Sequence, residues 1–144
     1  MKPGKDYIGV GCGAFIVNAK DEVLLMKRGE KSKNEIGHWS LPGGALEFNE
    51  TFSQAVRREI KEELGVEIEI EDLICLTDHI IKDEGQHWVT CAIKSRIVDG
   101  EPKIMEPEKI AKIGWFAVDS LPEKLTISAV SAFDAYKNGY RIKR

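Results

Sequence analysis

Residues 43–66 read GGALEFNETFSQAVRREIKEELGV, and five of these positions are glutamates, with Glu59, Glu62 and Glu63 crowded into five residues. On a helix, Glu59 faces Glu63 at i,i+4 and Glu62 at i,i+3, and each like-charge pair is unfavourable by a few tenths of a kcal/mol even in water. Arg58 reaches Glu62 in the weaker orientation, and one arginine does not neutralise three acids. A run of charge on a helix is usually a solvated face. Helical geometry argues otherwise here. With Glu59 at zero, Phe52, Ala55 and Val56 fall at roughly 20°, 320° and 60°, interleaved with Glu62 and Glu63 at roughly 300° and 40°. The acids therefore share an azimuth with residues that pack, while Ser53, Arg57 and Lys61 supply the free side. Two sheltered charges 4 Å apart cost about 4 kcal/mol at an effective dielectric near 20, so a counter-charge is required. Oxygen-only ligation selects Mg²⁺, with Mn²⁺ as the alternative, over zinc, and Mg²⁺ commonly bridges to phosphates.

Such a helix must be held by the elements around it. It is predicted to start near Asn49 to Thr51, whose side chains can cap free N–H groups, and to end at Leu64-Gly65, with Val56, Ile60 and Leu64 as its apolar stripe. Upstream, 7–17 and 22–28 read as strands joined by a turn at Asn18 to Asp21, which suggests a hairpin. Residues 29–38 are polar and read as a loop, and 39–44 as a short extended segment closed by Pro42-Gly43-Gly44. Downstream, Val66, Ile68 and Ile70 alternate with Glu67, Glu69 and Glu71, the pattern of a half-buried strand over 66–82. Strands at 87–98 and 113–118 follow, then a C-terminal helix with Ile127, Val130, Ala132, Phe133 and Tyr136 at helical intervals and Gly139 as its stop.

Composition agrees with a single domain over 1–144. Hydrophobic residues make up 42% and charged residues 31%, enough of the former for a core at this length. The N-terminus carries no leader pattern and no run is long enough to span a membrane, so the expected address is the cytoplasm. Cys12, Cys75 and Cys91 are far apart and show no metal-ligand spacing, which predicts reduced core thiols. A formal net charge of -3 gives no footprint for a nucleic-acid polymer.

The spacing Gly44, five residues, Glu50, seven residues, then Arg58-Glu59-Ile60-Lys61-Glu62-Glu63-Leu64-Gly65-Val66 resembles the Nudix box, G-x5-E-x7-R-E-U-x-E-E-x-G-U, at every fixed position. The approach Gly37-His38-Trp39-Ser40-Leu41-Pro42-Gly43-Gly44 and the later Glu106-Pro107-Glu108 ahead of Trp115-Phe116 extend the likeness over nearly the whole chain. The resemblance implies an α/β fold, an α/β/α sandwich around a mixed sheet, and hydrolysis of a nucleoside diphosphate linked to another moiety. It implies Glu59, Glu62 and Glu63 as metal ligands, with the Gly44 carbonyl added because a residue without a side chain lets the loop close over the ion. Glu50 then supports the site and Arg58 orients a glutamate. The catalytic base is one of Glu62, Glu63 or a carboxylate of Glu106-Pro107-Glu108. A homodimer is implied by the likeness alone.

Substrate contacts are assigned to Arg28, Trp39, Leu41, Gly43, Thr90 and Glu108. Arg28 closes a strand beside the presumed cleft, and its guanidinium matches phosphate oxygens in a bidentate fashion. Trp39 either walls the site or fills the core. Trp88 and Thr90 share one face of a strand, for which packing is the better reading and nucleobase contact the alternative. His38, His79 and His87 share no ligand spacing and are read as structural, or at most as contacts to a base. The strand and loop features are most similar to the MutT-type branch, which points to a nucleoside triphosphate cleaved to a monophosphate and pyrophosphate. An ADP-ribose or NDP-sugar diphosphatase would use the same helix with a different pocket. A module that binds nucleotides without cleaving them is the reading from another class, although no carboxylate of the box is missing.

Overall fold

The structure is a computed structural model and describes residues 1–143. In chain order it contains β1 (Gly9–Ile16), β2 (Glu22–Arg28), β3 (Trp39–Ser40), β4 (Gly43–Ala45), α1 (Phe52–Leu64), β5 (Glu67–Ile81), a 3-10 turn (Lys82–Glu84), β6 (Gln86–Asp99), β7 (Ile110–Ala117) and α2 (Ile127–Asn138). A mixed four-stranded sheet runs β4-β1-β6-β5, with β1 and β6 parallel and the other pairs antiparallel. A second sheet, antiparallel, runs β3-β2-β7.

Strand residues alternate between two cores, one under each helix. Cys12, Ala14, Ile16, Leu24, Cys91 and Ile93 pack with Ala55, Val56, Ile60 and Leu64 of α1. Their sequence neighbours Phe15, Val23, Leu25 and Ala92 pack instead with Ala132, Phe133 and Ala135 of α2. The strands are thus covered on both faces, which is why β1 and β2 read as near-continuous apolar runs and not as alternating ones. Full burial of side chains such as Val56, Ile60 and Leu64 contributes about 1.5–3 kcal/mol each.

Two expectations change. The segments before and after Asn18 to Asp21 do not form a hairpin: one bridge, Val17 to Val23, joins them before they diverge into separate sheets. Both edges of β1 are taken by β4 and β6, and both edges of β2 by β3 and β7. Strands apolar on both faces carry no local signal of which neighbour they will pair with. In α2, Ile127 and Val130 are exposed at 40% and 53%, and the buried side is Ala129, Ala132, Phe133 and Ala135. The alanines let the helix lie close against the sheet while Phe133 and Tyr136 reach Phe15.

Elsewhere the local reading holds. Thr51 caps α1 in a reciprocal capping box with Gln54, and Gly65 ends it at φ 69°, a left-handed conformation that glycine adopts without strain. Val66 and Ile68 are buried while Glu67, Glu69 and Glu71 are exposed. All three cysteines are free and buried. Among the described residues no helix is long and apolar enough to cross a membrane.

Candidate active site

One turn of α1 carries the acids into a cavity of about 360 Å³ between the helix, the β1–β4 edge and the loop after β2. The expected sheltering is graded around the helix. The Glu63 side chain is buried on the packed face, Glu59 lines the cavity with 16% of its side chain exposed, and Glu62 sits at the rim with 53% exposed. Glu63 Oε1 accepts the Gly43 N–H at 2.8 Å. That bond requires the tight passage of the chain through Pro42-Gly43-Gly44, where a Cβ on Gly43 would lie 2.0 Å from the Cys12 carbonyl oxygen.

Arg58 holds the remaining acids. Its Nε and Nη2 donate to Glu50 Oε2 and Oε1 at 2.6 and 2.9 Å, a bidentate pair, and Nη1 donates to Glu59 at 2.9 Å and to Glu62 at 3.5 Å. Nη2 also donates to the Ala45 carbonyl at 3.2 Å, which ties α1 to β4. The hydrogen bonds from Arg58 hold the Glu50 carboxyl down at about 2, and the same contact raises the arginine. Glu50 therefore anchors Arg58 and Arg58 orients Glu59.

Glu63, and Glu59 in spite of its bond from Arg58, are under-neutralised. Burial pushes the Glu63 carboxyl well above the usual range, the nearby Glu59 charge pushes it further, and the Gly43 N–H only partly opposes them. Burial also raises Glu59, in spite of Arg58. Gly44 explains how close this crowding is: a Cβ there would lie 2.5 Å from the Glu59 carboxylate carbon, so the space above the acid exists because residue 44 has no side chain. Among the described residues no three acidic, histidine or cysteine side chains are already drawn around one point. The donor set nonetheless fits a hard divalent cation. It offers carboxylate and carbonyl oxygens only, an excess of negative charge over Arg58, and a cradle at Gly44 that a side chain would fill. The Gly44 carbonyl meanwhile receives the Cys12 thiol at 3.5 Å, and burial pushes that thiol up to about 12, leaving it inert.

The same cavity also carries cations: Arg28, Lys31, Lys33 and Lys109 line it, and the charges of Arg28 and Lys109 reach Glu63 and Glu59. Arg28 Nη1 donates to the carbonyl and the side-chain oxygen of Asn34. Burial pulls the Arg28 guanidinium down while Glu35, Glu63 and Glu84 hold it up, and it stays charged.

Of the sequence-derived substrate contacts, Arg28, Leu41, Gly43 and Thr90 line the cavity. Trp39 does not. It packs edge-on against Phe116 at 5.0 Å between ring centroids, in the core beneath α2. Glu108 does not either: its side chain is 70% exposed and pairs with Lys31 at 3.6 Å. A Glu-Pro-Glu spacing carries no information on which side of the chain the turn presents. Trp88 is buried at the cavity wall, its Nε1 donating to Gln86 Oε1 at 2.8 Å. Sequence reasoning missed Lys31, Lys33, Asn34 and Lys109, which sit in segments whose polar character signals only a loop or turn.

Known proteins resemble this chain over most of its length. Residues 8–136 match the NUDIX domain. The chain is similar to the MutT NUDIX hydrolase of Burkholderia pseudomallei, at 42% identity and a TM-score of 0.83, covering 90% of this chain and 98% of that one. It is 31% identical over 114 residues to the 8-oxo-dGDP phosphatase NUDT18 of Homo sapiens, covering 78% of this chain but only 33% of that protein. It is 32% identical over 108 residues to the ADP-ribose pyrophosphatase of Methanocaldococcus jannaschii, covering 75% of this chain and 62% of that protein. The chain thus spans about a third of the human relative's length.

Proposed function

Because this chain belongs to the NUDIX family, we propose that it hydrolyses a nucleoside triphosphate to the monophosphate and pyrophosphate with Mg²⁺, or Mn²⁺, as cofactor. The observation that carries this reading is the pair Glu59 and Glu63, sheltered and under-neutralised in a cavity also lined by Arg28, Lys31, Lys33 and Lys109. A polyphosphate is the ligand that satisfies both sets of groups at once, the acids through a cation and the basic side chains by direct pairing.

Glu59, Glu62, Glu63 and the Gly44 carbonyl are the groups that would hold the cation. When bound it neutralises anhydride oxygens and lowers the pKa of a coordinated water. The chain's own residues do the rest. The Gly43 N–H fixes the orientation of Glu63, and Arg58, anchored by Glu50, fixes Glu59. Arg28 and the lysines take the charge of the phosphates and hold them in the cavity. Glu62 accepts the proton of the attacking water: its carboxylate is the most exposed of the three and has only a 3.5 Å contact with Arg58. The protein acts as a homodimer in the cytoplasm in this reading.

A second reading, cleavage of ADP-ribose or an NDP-sugar, is favoured by the similarity to the archaeal ADP-ribose pyrophosphatase. A panel of triphosphates, 8-oxo-dGDP and sugar nucleotides, with pyrophosphate, phosphate and monophosphate quantified separately, tests both. Pyrophosphate from triphosphates supports the first, monophosphate from ADP-ribose without triphosphate turnover the second. Nucleotide binding with every anhydride left intact would mean a non-catalytic module.

A further inference from the structure

The loop after β2 contains a second buried glutamate, and nothing in the chemistry above uses it. Glu35 is 7% exposed, and it holds φ 46°, a left-handed conformation costly for a residue with a side chain. Both oxygens of its carboxylate are occupied. Oε1 accepts from Nε2 of His79, itself 3% exposed, at 2.5 Å, and Oε2 accepts the N–H of Ile127, in the first turn of α2, at 2.9 Å. Its own N–H donates to Glu84 at 3.0 Å. One residue of the loop is thus bonded to β5, to α2 and to the turn before β6.

The neighbouring residue carries this fixation to the cavity. Asn34 is 6% exposed; its Nδ2 donates to Gln86 Oε1 at 3.0 Å, and Gln86 Nε2 donates back to the Lys33 carbonyl at 2.9 Å. Asn34 then presents two oxygens, both directed at Nη1 of Arg28. Among the described residues Nε and Nη2 of Arg28 donate to no protein acceptor, although the residue lines the cavity. Asn34 and Gln86 spend their own polar groups on this network, so their role is to hold Arg28.

We propose that Glu35 and His79 are positioning residues: they latch the 29–38 loop so that Asn34 grips one arm of Arg28 and leaves Nε and Nη2 aimed at a phosphate. This rests on the reading of Arg28 as a phosphate contact given above. A side chain held in place loses less entropy on binding, so the latch acts on affinity for the anion.

The probe is inorganic pyrophosphate with Mg²⁺, its Kd measured by titration calorimetry on wild type, Glu35→Gln, Arg28→Ala and the double variant, alongside KM and kcat for whichever nucleotide the panel identifies. Glutamine is nearly isosteric, and His79→Gln serves if Glu35→Gln does not fold. Expected are a Kd about tenfold weaker for Glu35→Gln, a Kd for the double variant no weaker than that of Arg28→Ala, and a rise in KM with kcat within about twofold. Multiplying effects in the double variant, wild-type affinity in Glu35→Gln, or no pyrophosphate binding by wild type would each overturn the latch. Because binding is read without turnover, an inert protein with the expected Kd pattern would overturn the hydrolase reading and keep the latch. Turnover with an unchanged KM and Kd in Glu35→Gln would do the reverse.

Discussion

Glu35 and Glu63 are both buried, at 7% and 5% exposure, each with its charge within reach of Arg28, and they titrate in opposite directions. Burial pushes both up. At Glu35, hydrogen bonds from His79 and the Ile127 N–H overcome it and leave the carboxyl below the usual range. At Glu63, one bond from Gly43 is outweighed by burial and by the Glu59 charge. A buried charge with its partners in place is part of the scaffold; one without them is a group whose partner arrives from solution. Burial alone does not separate the two, and the hydrogen bonds do.

The sharpest way to break this contrast is Glu63→Gln. With Glu63 as the proposed metal ligand, its loss is expected to lower kcat about 10³-fold or more, since cation stabilisation of the transition state is worth several kcal/mol. The metal-free variant should nevertheless melt higher than wild type by a few degrees, because an unfavourable buried charge has gone. A lower melting temperature, or near-normal turnover, would mean that Glu63 is a structural acid like Glu35.

Gly44→Ala probes the same site more gently. The added methyl displaces the end of Glu59 without opening the core, so kcat/KM is expected to fall about 10²-fold, in line with the cost of misplacing a group by about 1 Å. Thermal melting should change little, and scanning calorimetry beside initial rates reads both.

Stability against pH sharpens the comparison without any substitution. Glu63 and Glu59 titrate in the fold above the ordinary 4.5, so the native state binds protons before the unfolded chain does and stability falls as pH rises through their folded values. Glu35 and Glu50 lie below 4.5, Glu50 at about 2, so their contribution is held above 4.5 and lost as pH falls toward the folded values. In EDTA the melting temperature is expected to peak at about pH 5, with the alkaline limb flattened in Glu63→Gln. A flat profile in wild type would remove the difference between the two kinds of acid.

The smallest effect is expected at Glu108, the sequence-derived contact that lies outside the cavity. Its exposed pair with Lys31 contributes about 0–1 kcal/mol, so Glu108→Ala should leave kcat/KM within about twofold. A larger loss in a steady-state assay would place Glu108 in the chemistry after all.

What the sequence by itself determined is everything that depends on short-range geometry. Thr51 and Gly65 bound α1 because capping needs a side-chain oxygen and a left-handed residue at set positions. The acids cluster because 3.6 residues per turn places 59, 62 and 63 together. The expectation of a cation there follows from like charge at that spacing. The division of the strands into two sheets, the retreat of Trp39 into the core, the exposure of Ile127 and Val130, and the cations lining the cavity were decided only in three dimensions. Glu35 shows why. Its partners His79 and Ile127 lie 44 and 92 residues away, and no periodicity or composition rule operates over such a distance. A buried ionic contact is specified by which surfaces the whole fold brings together, and a polar loop read alone looks the same whether it faces water or holds an arginine in place.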